Sequence, residues 1–419
     1  MRKPIAYGID FGTSNSAISV GYADQAELVP LGPDGDDVMP SMIYLDSTRQ
    51  KLAGHAAVRQ FLVAGSQNGV RLMSTVKSFL ADDTWRGTEA PWLEIITPPE
   101  VVAVLLRELK RQADAFCGHD VKRAVLGHPV LFVGAEGEGF ARLNNLAKER
   151  LKRAAELAGF KEVLLVEEST AALAGEEYRP GVMVALDFGG GTFDVSVMST
   201  DSQNQRELMA SRGATVGGER FNELLFDGFV AESLGLTGEH RNQWGNLLPV
   251  PSSIRKFRSL DGALRMVSDS ATHKALDDMI HAGGGRALKD LDEILFGGHT
   301  YAFHKAVEAA KIELSDTDTA AIDFVRRNIS LHALATRKTF ERLIGPDLDR
   351  VDLVVDEALD AAGITADDVD LVVRTGGSSQ LPLFASRMSK KFGAHKVEAR
   401  DALATVALGL GLKGIEAWS

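Results

Sequence analysis

The sequence holds a single cysteine, Cys117. No intramolecular disulfide can form, which excludes the disulfide-built secreted scaffolds and makes a reducing cytosol the expected setting. No basic or metal-ligating neighbours crowd Cys117 in sequence, so an inert thiol is expected. No apolar run approaches the roughly 20 residues that cross a bilayer. MRKPIAYGIDFG passes straight into a strand pattern, without the apolar stretch of a signal peptide. A surplus of positive charge is also missing: 58 acidic residues against 46 basic ones leave a net −12. That argues against nucleic acid or an anionic membrane as partner, since both need clustered Lys and Arg. The one basic run, KERLKR at 148–153, reads as the solvated face of a helix. The ten histidines show no i, i+4 metal-ligand spacing. His128, before Pro129, reads as a packed or loop residue, and no Ser-His-Asp arrangement stands out.

What is present is the composition of a globular protein, 45% hydrophobic and 25% charged over 419 residues, long enough for two or three domains. Strand-like and helical runs alternate. YGIDFG and SAISVGY predict two strands joined through Gly12-Thr13-Ser14-Asn15. Pro99–Phe116 has apolar residues at helical spacing, RAVLGHPV predicts a strand, and GFARLNNLAKERLKRAAELAGF a long helix ending at Gly159. VLLVEEST predicts a buried strand and TAALAGEEY a helix, after which Pro180-Gly181 breaks the chain. The second half repeats the pattern. Between Gly218 and Glu308 it adds a polar, glycine-spotted stretch, read as a smaller subdomain with exposed loops, in which HAGGGRALKD supplies a turn. LVVRTGGSSQLP (371–382) predicts strand, turn and helix, and ALATVALGLGLKGIEAWS a small-residue helix. The expected fold is α/β, with two related lobes dividing near Arg179–Gly181.

The two halves share a phrase. Residues 9–20 read IDFGTSNSAISV and residues 186–197 read LDFGGGTFDVSV. Glycine at a tight hairpin lets backbone N–H groups approach an anion closely, because no Cβ intervenes. An Asp opening the hairpin can orient the water shell of Mg²⁺, and Thr and Ser hydroxyls add donors. One such hairpin is ordinary turn chemistry. Two facing hairpins would set Asp10 and Asp187 on opposite sides of one phosphate chain and its metal.

IDFGTSNS, LDFGGGTFDVSV and VRTGGSSQLP resemble the first phosphate, second phosphate and adenosine motifs of the actin, sugar-kinase and heat-shock ATPase superfamily. GGGTFDVS followed by ATVGGERFN is most similar to the seventy-kilodalton heat-shock chaperones, the DnaK family, and within them to the short YegD-like branch. The resemblance covers nearly the whole chain but only that family's nucleotide-binding domain. It implies an actin-like ATPase fold of two ribonuclease H-like lobes, each with a five-stranded mixed sheet, and a nucleotide cleft between them. Lobe I would be 1–179, closed by the C-terminal helix at about 398–419. Lobe II would be 180–397, enlarged at about 218–308, with no peptide-binding domain.

The resemblance also implies ATP or ADP with Mg²⁺, and K⁺ as a further candidate ion. It assigns Asp10, Asp187 and Asp194 to the metal, largely through water. Lys77, Glu168, Asp187 and Thr192 take the catalytic positions, Lys77 orienting the attacking water and Glu168 positioning it or accepting its proton. Gly12, Thr13, Ser14 and Asn15 form the first phosphate hairpin and Gly189, Gly190, Gly191 and Thr192 the second. Gly217, Gly218, Glu219, Ser315, Gly376, Gly377 and Ser378 complete the nucleotide contacts, and Glu308 and Lys311, which share one helix face with Ser315 at i, i+3 and i+7, hold the ribose hydroxyls. Read without the resemblance, that stripe is an exposed face with an intrahelical Glu308–Lys311 pair.

The sequence departs from the family in places. Ile312 and Gln380 stand where adenine-stacking arginines are expected, and Glu167 and Ser169 replace Asn and Pro of the motif around Glu168. Weaker or less base-selective nucleotide binding is therefore expected. With no peptide-holding module in cis, the leading reading is a slow, Mg-dependent, monomeric ATPase of chaperone type whose lobe closure switches a protein partner. The alternatives are a non-hydrolysing nucleotide-gated module or actin-like scaffold, and a small-molecule kinase.

Overall fold

The computed structural model describes residues 2–33, 35–64, 69–137, 139–176, 180–203, 205–241, 244–326, 328–400 and 402–419. In the first lobe, β1 (Ala6–Phe11) and β2 (Asn15–Gly21) form the predicted hairpin, and β3 (Ala26–Leu28) and β4 (Val38–Pro40) both pair with β2. The helix α1 (Pro98–Cys117) starts at a capping box in which Thr97 and Glu100 satisfy each other's orphan groups. After it come β5 (Arg123–His128), α2 (Phe140–Leu157), β6 (Glu162–Glu167) and the short α3 (Glu168–Ala174). Sheet order is β6-β5-β1-β2-β3. The expected five strands are there, and β4 makes a sixth.

Of the expected boundary, Arg179 lies outside the described residues, and Gly181 opens β7 (Gly181–Phe188). β8 (Phe193–Thr200) and β9 (Arg206–Ala214) follow, then α4 (Gly218–Phe229), and later α5 (Thr300–Asp316). A helix over Arg337–Ala362 leads to β10 (Leu371–Thr375), α6 (Pro382–Phe392), β11 (Val397–Ala399) and α7 (Ala402–Trp418). This sheet is ordered β9-β8-β7-β10-β11. From β3 inward the first sheet pairs antiparallel, antiparallel, parallel, parallel. From β9 inward the second does the same. The duplicated phrase is thus the central hairpin of two sheets of one topology.

The helix α7 packs against β1 and β2 of the first sheet and against α3. Close approach is possible because small residues meet. A Cβ on Gly8 would lie 2.1 Å from the Gly411 nitrogen, and one on Gly409 would lie 1.9 Å from the Ala171 carbonyl oxygen. Val125, Leu173, Met183, Leu371, Val406 and Leu410 form one buried cluster that joins the two sheets through α3 and α7.

The stretch between Gly218 and Glu308 differs from the reading of exposed loops: it is mainly helical. Leu260–Val267, Ser270–His281 and Gly285–Phe296 are helices between α4 and α5, and the triple glycine turns between the last two. Leu288, Leu291, Ile294 and Leu295 are buried at helical spacing, packed in one core with Phe226, Phe257 and Phe303. The spacing is present in the sequence, but the flanking glycines and charges obscure it.

Candidate functional site

The two hairpins meet across a cleft between the lobes. A Cβ on Gly190 would stand 2.5 Å from Ser14 Oγ, and one on Gly191 would stand 2.7 Å from Thr13 Oγ1. Gly12 is held to the same tight geometry, since a Cβ there would meet the Asn15 carbonyl oxygen at 2.2 Å. α4 starts directly on the second hairpin: the Gly218 N–H donates to the Gly189 carbonyl (3.0 Å) and the Glu219 N–H to that of Gly190 (2.8 Å). Ser14 Oγ reaches across and donates to Glu219 Oε1 at 2.7 Å. The third glycine motif closes the wall. Gly376 takes φ +83 against Phe188, and Ser378 Oγ donates to the Gly189 carbonyl at 2.9 Å.

Counted to its mouth, the cleft holds about 990 Å³, within the range of small-molecule sites. Its walls include Asp10, Gly12, Thr13, Ser14, Asn15, Lys77, Glu168, Asp187, Gly189, Gly190, Gly191, Thr192, Gly218, Glu219, Glu308, Lys311, Ile312, Gly376, Gly377 and Ser378. Four positions singled out from the sequence stand outside this lining. Gly217 packs behind the second hairpin, where a Cβ would lie 2.3 Å from the Gly190 oxygen. Asp194 is buried one layer deeper and accepts from the Val130 N–H at 2.8 Å. Ser315 lies a turn past Lys311 and is half-buried, while Gln380 is exposed.

The chemistry concentrates at the base of the cleft. Lys77, on a short 3₁₀ turn after Thr75 (φ 50), donates to Glu168 Oε1 at 2.6 Å, and both side chains are nearly fully buried. Desolvation, the largest influence, works to lower the Lys77 pKa, but the carboxylates of Glu168 and Asp10 outweigh it and the net shift is upward. The acids are pushed the other way. Burial, with Glu168 and Asp187 nearby, raises Asp10 well above the carboxylate range despite Lys77. Burial, then Glu168, lifts Asp187 to about 7, opposed by Lys77 and by the Thr375 hydroxyl, which donates at 3.2 Å. Burial, with Glu168 and Asp187 adding like charge, also raises Asp194.

Three crowded acids and Glu168 therefore face one ammonium, and Asp194 Oδ2 is buried with no hydrogen-bond partner among the described residues. A divalent cation fits that excess of negative charge. Among the described residues no cluster of three His, Cys, Asp or Glu side chains could ligate a metal directly. This suits Mg²⁺, which keeps several waters and takes one or two carboxylates.

At the other end, the Glu308–Lys311 pair read from the bare helix spacing is not what forms. Glu308 pairs with Lys305 at 2.5 Å, and Lys311 Nζ turns inward to the Gly218 carbonyl at 3.1 Å. Desolvation lowers the Lys311 pKa, with Glu308 and Glu219 opposing. Ile312 is 60% exposed at the cleft edge.

Several participants escape sequence reasoning. Gly127 lets Glu168 lie against β5, since a Cβ there would stand 2.9 Å from Glu168 Cγ. Thr375 and Val130 hold Asp187 and Asp194 from positions remote in sequence, and Arg150 donates to the carbonyls of Leu80, Asp82 and Trp85 in the loop after Lys77. Only Thr375, a hydroxyl at the end of a strand and next to two glycines, left a readable signal. His128 is buried, bonded to the Pro129 carbonyl and stacked on Phe132, so it is a packed residue. Cys117 is buried beside the Tyr7 hydroxyl.

No helix among the described residues is long and apolar enough to cross a membrane. The family model described as Hsp70 protein matches residues 6–238 and 300–415, leaving the helical stretch between them outside the match. The chain is 27% identical to the chaperone protein DnaK of Halobacterium salinarum over 416 residues, covering 97% of this chain and 55% of that protein. It is 26% identical to the chaperone protein DnaK of Thermotoga petrophila over 428 residues, covering 98% and 59%. The chain thus spans a little over half the length of these curated relatives. With the match covering both sheets, both hairpins and the glycine turn after β10, the chain belongs to the Hsp70 family.

Proposed function

We propose that the chain binds Mg·ATP in the interlobe cleft, hydrolyses it slowly as a cytoplasmic monomer, and uses lobe closure as a switch for a protein partner. The observation that carries this reading is the pair of glycine hairpins meeting across the cleft above a buried Lys77–Glu168 pair. In-line phosphoryl transfer to water asks for positioning and charge stabilisation rather than covalent chemistry. Mg²⁺, held by Asp10 and Asp187 through its waters, would neutralise charge on the phosphates. Backbone amides of Gly12–Asn15 and Gly189–Thr192 cradle the phosphates, and Thr13 and Thr192 offer hydroxyl donors. Glu168 positions the attacking water and takes its proton, while Lys77 fixes that carboxylate and stabilises the transferring group. Glu308 and Lys311 flank the ribose, and Ile312 gives the base an apolar contact. The relatives are named chaperone proteins, and a chaperone-type role for this chain is an extension from them.

Phosphate release from Mg·ATP tests the proposal. The wild type should turn over slowly, and Lys77→Ala and Asp10→Asn should lose at least ~100-fold, in line with removal of a charge-stabilising group. Nucleotide binding without turnover in the wild type would make the chain a nucleotide-gated binding module. Turnover that requires a hexose would make it a kinase.

A further inference from the structure

Lys77 stands in a short turn, Val76–Phe79, that is held from two directions. The first hold comes from within its own lobe. Arg150 of α2 donates to the carbonyls of Leu80, Asp82 and Trp85 at 2.9, 2.8 and 3.0 Å. Asp82 Oδ1 in turn accepts from the Thr84 and Trp85 N–H groups, at 2.9 and 3.3 Å. These bonds fix the chain that follows Phe79. They reach Phe79 itself only through Trp85, whose ring meets the Phe79 ring edge-on with centroids 5.9 Å apart.

The second hold comes from the other lobe. Arg265 lies on the helix Leu260–Val267, within the stretch that the Hsp70 family model leaves unmatched. Its guanidinium carbon stands 4.2 Å from the centroid of the Phe79 ring, within the range of a cation–π contact. Asp261, one turn earlier, accepts from Arg265 Nε at 2.8 Å and steadies the guanidinium over the ring. The helix is itself seated on the first lobe, since Leu264 is buried among Met42, Tyr44, Phe61 and Leu72. Arg265 and Phe79 therefore meet only while the lobes are together.

Phe79 follows Lys77 by two residues in one hydrogen-bonded turn, where the Leu80 N–H donates to the Lys77 carbonyl at 3.2 Å. A turn this short moves as a unit, so what locates Phe79 also locates Lys77. The contact of Lys77 with Glu168 at 2.6 Å has little latitude. A misplacement of about 1 Å in such a group can cost about 100-fold in rate.

We propose that Arg265 is a positioning residue for phosphoryl transfer: it holds Phe79 from the second lobe and thereby sets Lys77 in place when the lobes close. The helical stretch outside the family match then carries closure to the catalytic lysine. The assignment rests on Mg·ATP hydrolysis in the cleft. Arg265 touches neither the cleft lining nor Lys77, and its side chain is 53% exposed, so it is not needed to build the core.

Two measurements on the full chain test it: single-turnover hydrolysis of prebound Mg·ATP, and Mg·ADP affinity by calorimetry. Arg265→Gln should slow the single-turnover rate about five-fold, the size of one partly exposed cation–π contact, with ADP affinity unchanged. Arg265→Lys, which keeps the cation, should recover most of the rate. Phe79→Leu should slow hydrolysis by a similar factor and the double variant no further, because both substitutions remove one contact. Circular dichroism checks folding, and the two variants at 265 carry the test if Phe79→Leu misfolds. A wild type that hydrolyses no faster than Arg265→Gln overturns the positioning role and leaves the ATP reading standing. Loss of ADP affinity in proportion to rate also overturns it, since Arg265 would then only clasp the lobes together. No hydrolysis by the wild type overturns both.

Discussion

Lys77 and Glu168 present a buried ion pair whose two halves have different consequences. Taking charges out of water is costly, and the pair stands only because each member compensates the other at 2.6 Å. Lys77→Ala leaves Glu168 buried beside three other carboxylates, and should cost about 3–5 kcal/mol in urea unfolding without Mg²⁺. The double variant Lys77→Ala, Glu168→Gln should recover most of that loss while ATP turnover stays abolished. If the double variant is as unstable as the single one, the pair is not what holds this part of the site. Ile312 and Gln380 pose the opposite case, residues whose local rule is broken for no structural gain. Neither can stack a planar cation on a purine, and Ile312 remains 60% exposed. Since stacking is worth about 1–3 kcal/mol per base, Ile312→Arg with Gln380→Arg should tighten ADP roughly ten-fold or more by calorimetry. Equal affinity in the two proteins would show that the adenine grip does not run through these positions.

Between elements, the critical joint is where α4 meets the second hairpin. Gly217 has an extended backbone, so a side chain brings no dihedral strain there. Its Cβ would instead run into backbone, 2.3 Å from the Gly190 oxygen and 2.6 Å from the Gly191 nitrogen. Backbone cannot swing away as a side-chain tip can. Gly217→Ala should therefore push α4 off the hairpin and break the amide contacts from Gly218 and Glu219. Nucleotide affinity should fall at least ten-fold (~1.4 kcal/mol or more), while far-UV circular dichroism is nearly unchanged; wild-type affinity would contradict this account of the joint. This joint also shows what was legible in the sequence. Both hairpins could be read, because glycine and Asp at fixed offsets serve a local geometry, and so could the strand, turn and helix at 371–392. The helices within 239–299 were missed because apolar spacing lay among glycines and charges. Gly127, Thr375 and Val130 were missed for a different reason: each acts on a residue brought close only by the fold. Lys305 is a different case, a near neighbour of Glu308 at i, i+3: helix spacing alone allows Glu308 to pair with either Lys305 or Lys311, and in the fold it takes Lys305 while Lys311 turns inward.

At the scale of the molecule, α3 and α7 sew the two sheets into one buried cluster, so the lobes share core as well as a cleft. Loss of stability in one lobe should then register in a single unfolding transition, and pH provides a measurable case. His128 lies in the first lobe and burial pushes its pKa down to about 4, only partly opposed by its bond to the Pro129 carbonyl. The unfolded imidazole has an ordinary value near 6.5. At neutral pH both states are unprotonated and the group contributes nothing to pH dependence. As pH falls below about 6.5 the unfolded chain takes up the proton and the folded protein does not, so stability drops until the folded group also titrates near 4. Linkage sets the difference between pH 7.5 and pH 5 at about 2 kcal/mol for this one residue. Buried acids such as Asp187 act in the opposite direction, because their raised values let the folded state bind protons first. Comparing wild type with His128→Gln cancels that common background. In urea unfolding at pH 7.5, 6 and 5, the wild type should lose about 2 kcal/mol more than the variant on acidification. Parallel losses would mean that His128 is protonated in the folded protein and that its packing against Phe132 does not exclude the charge.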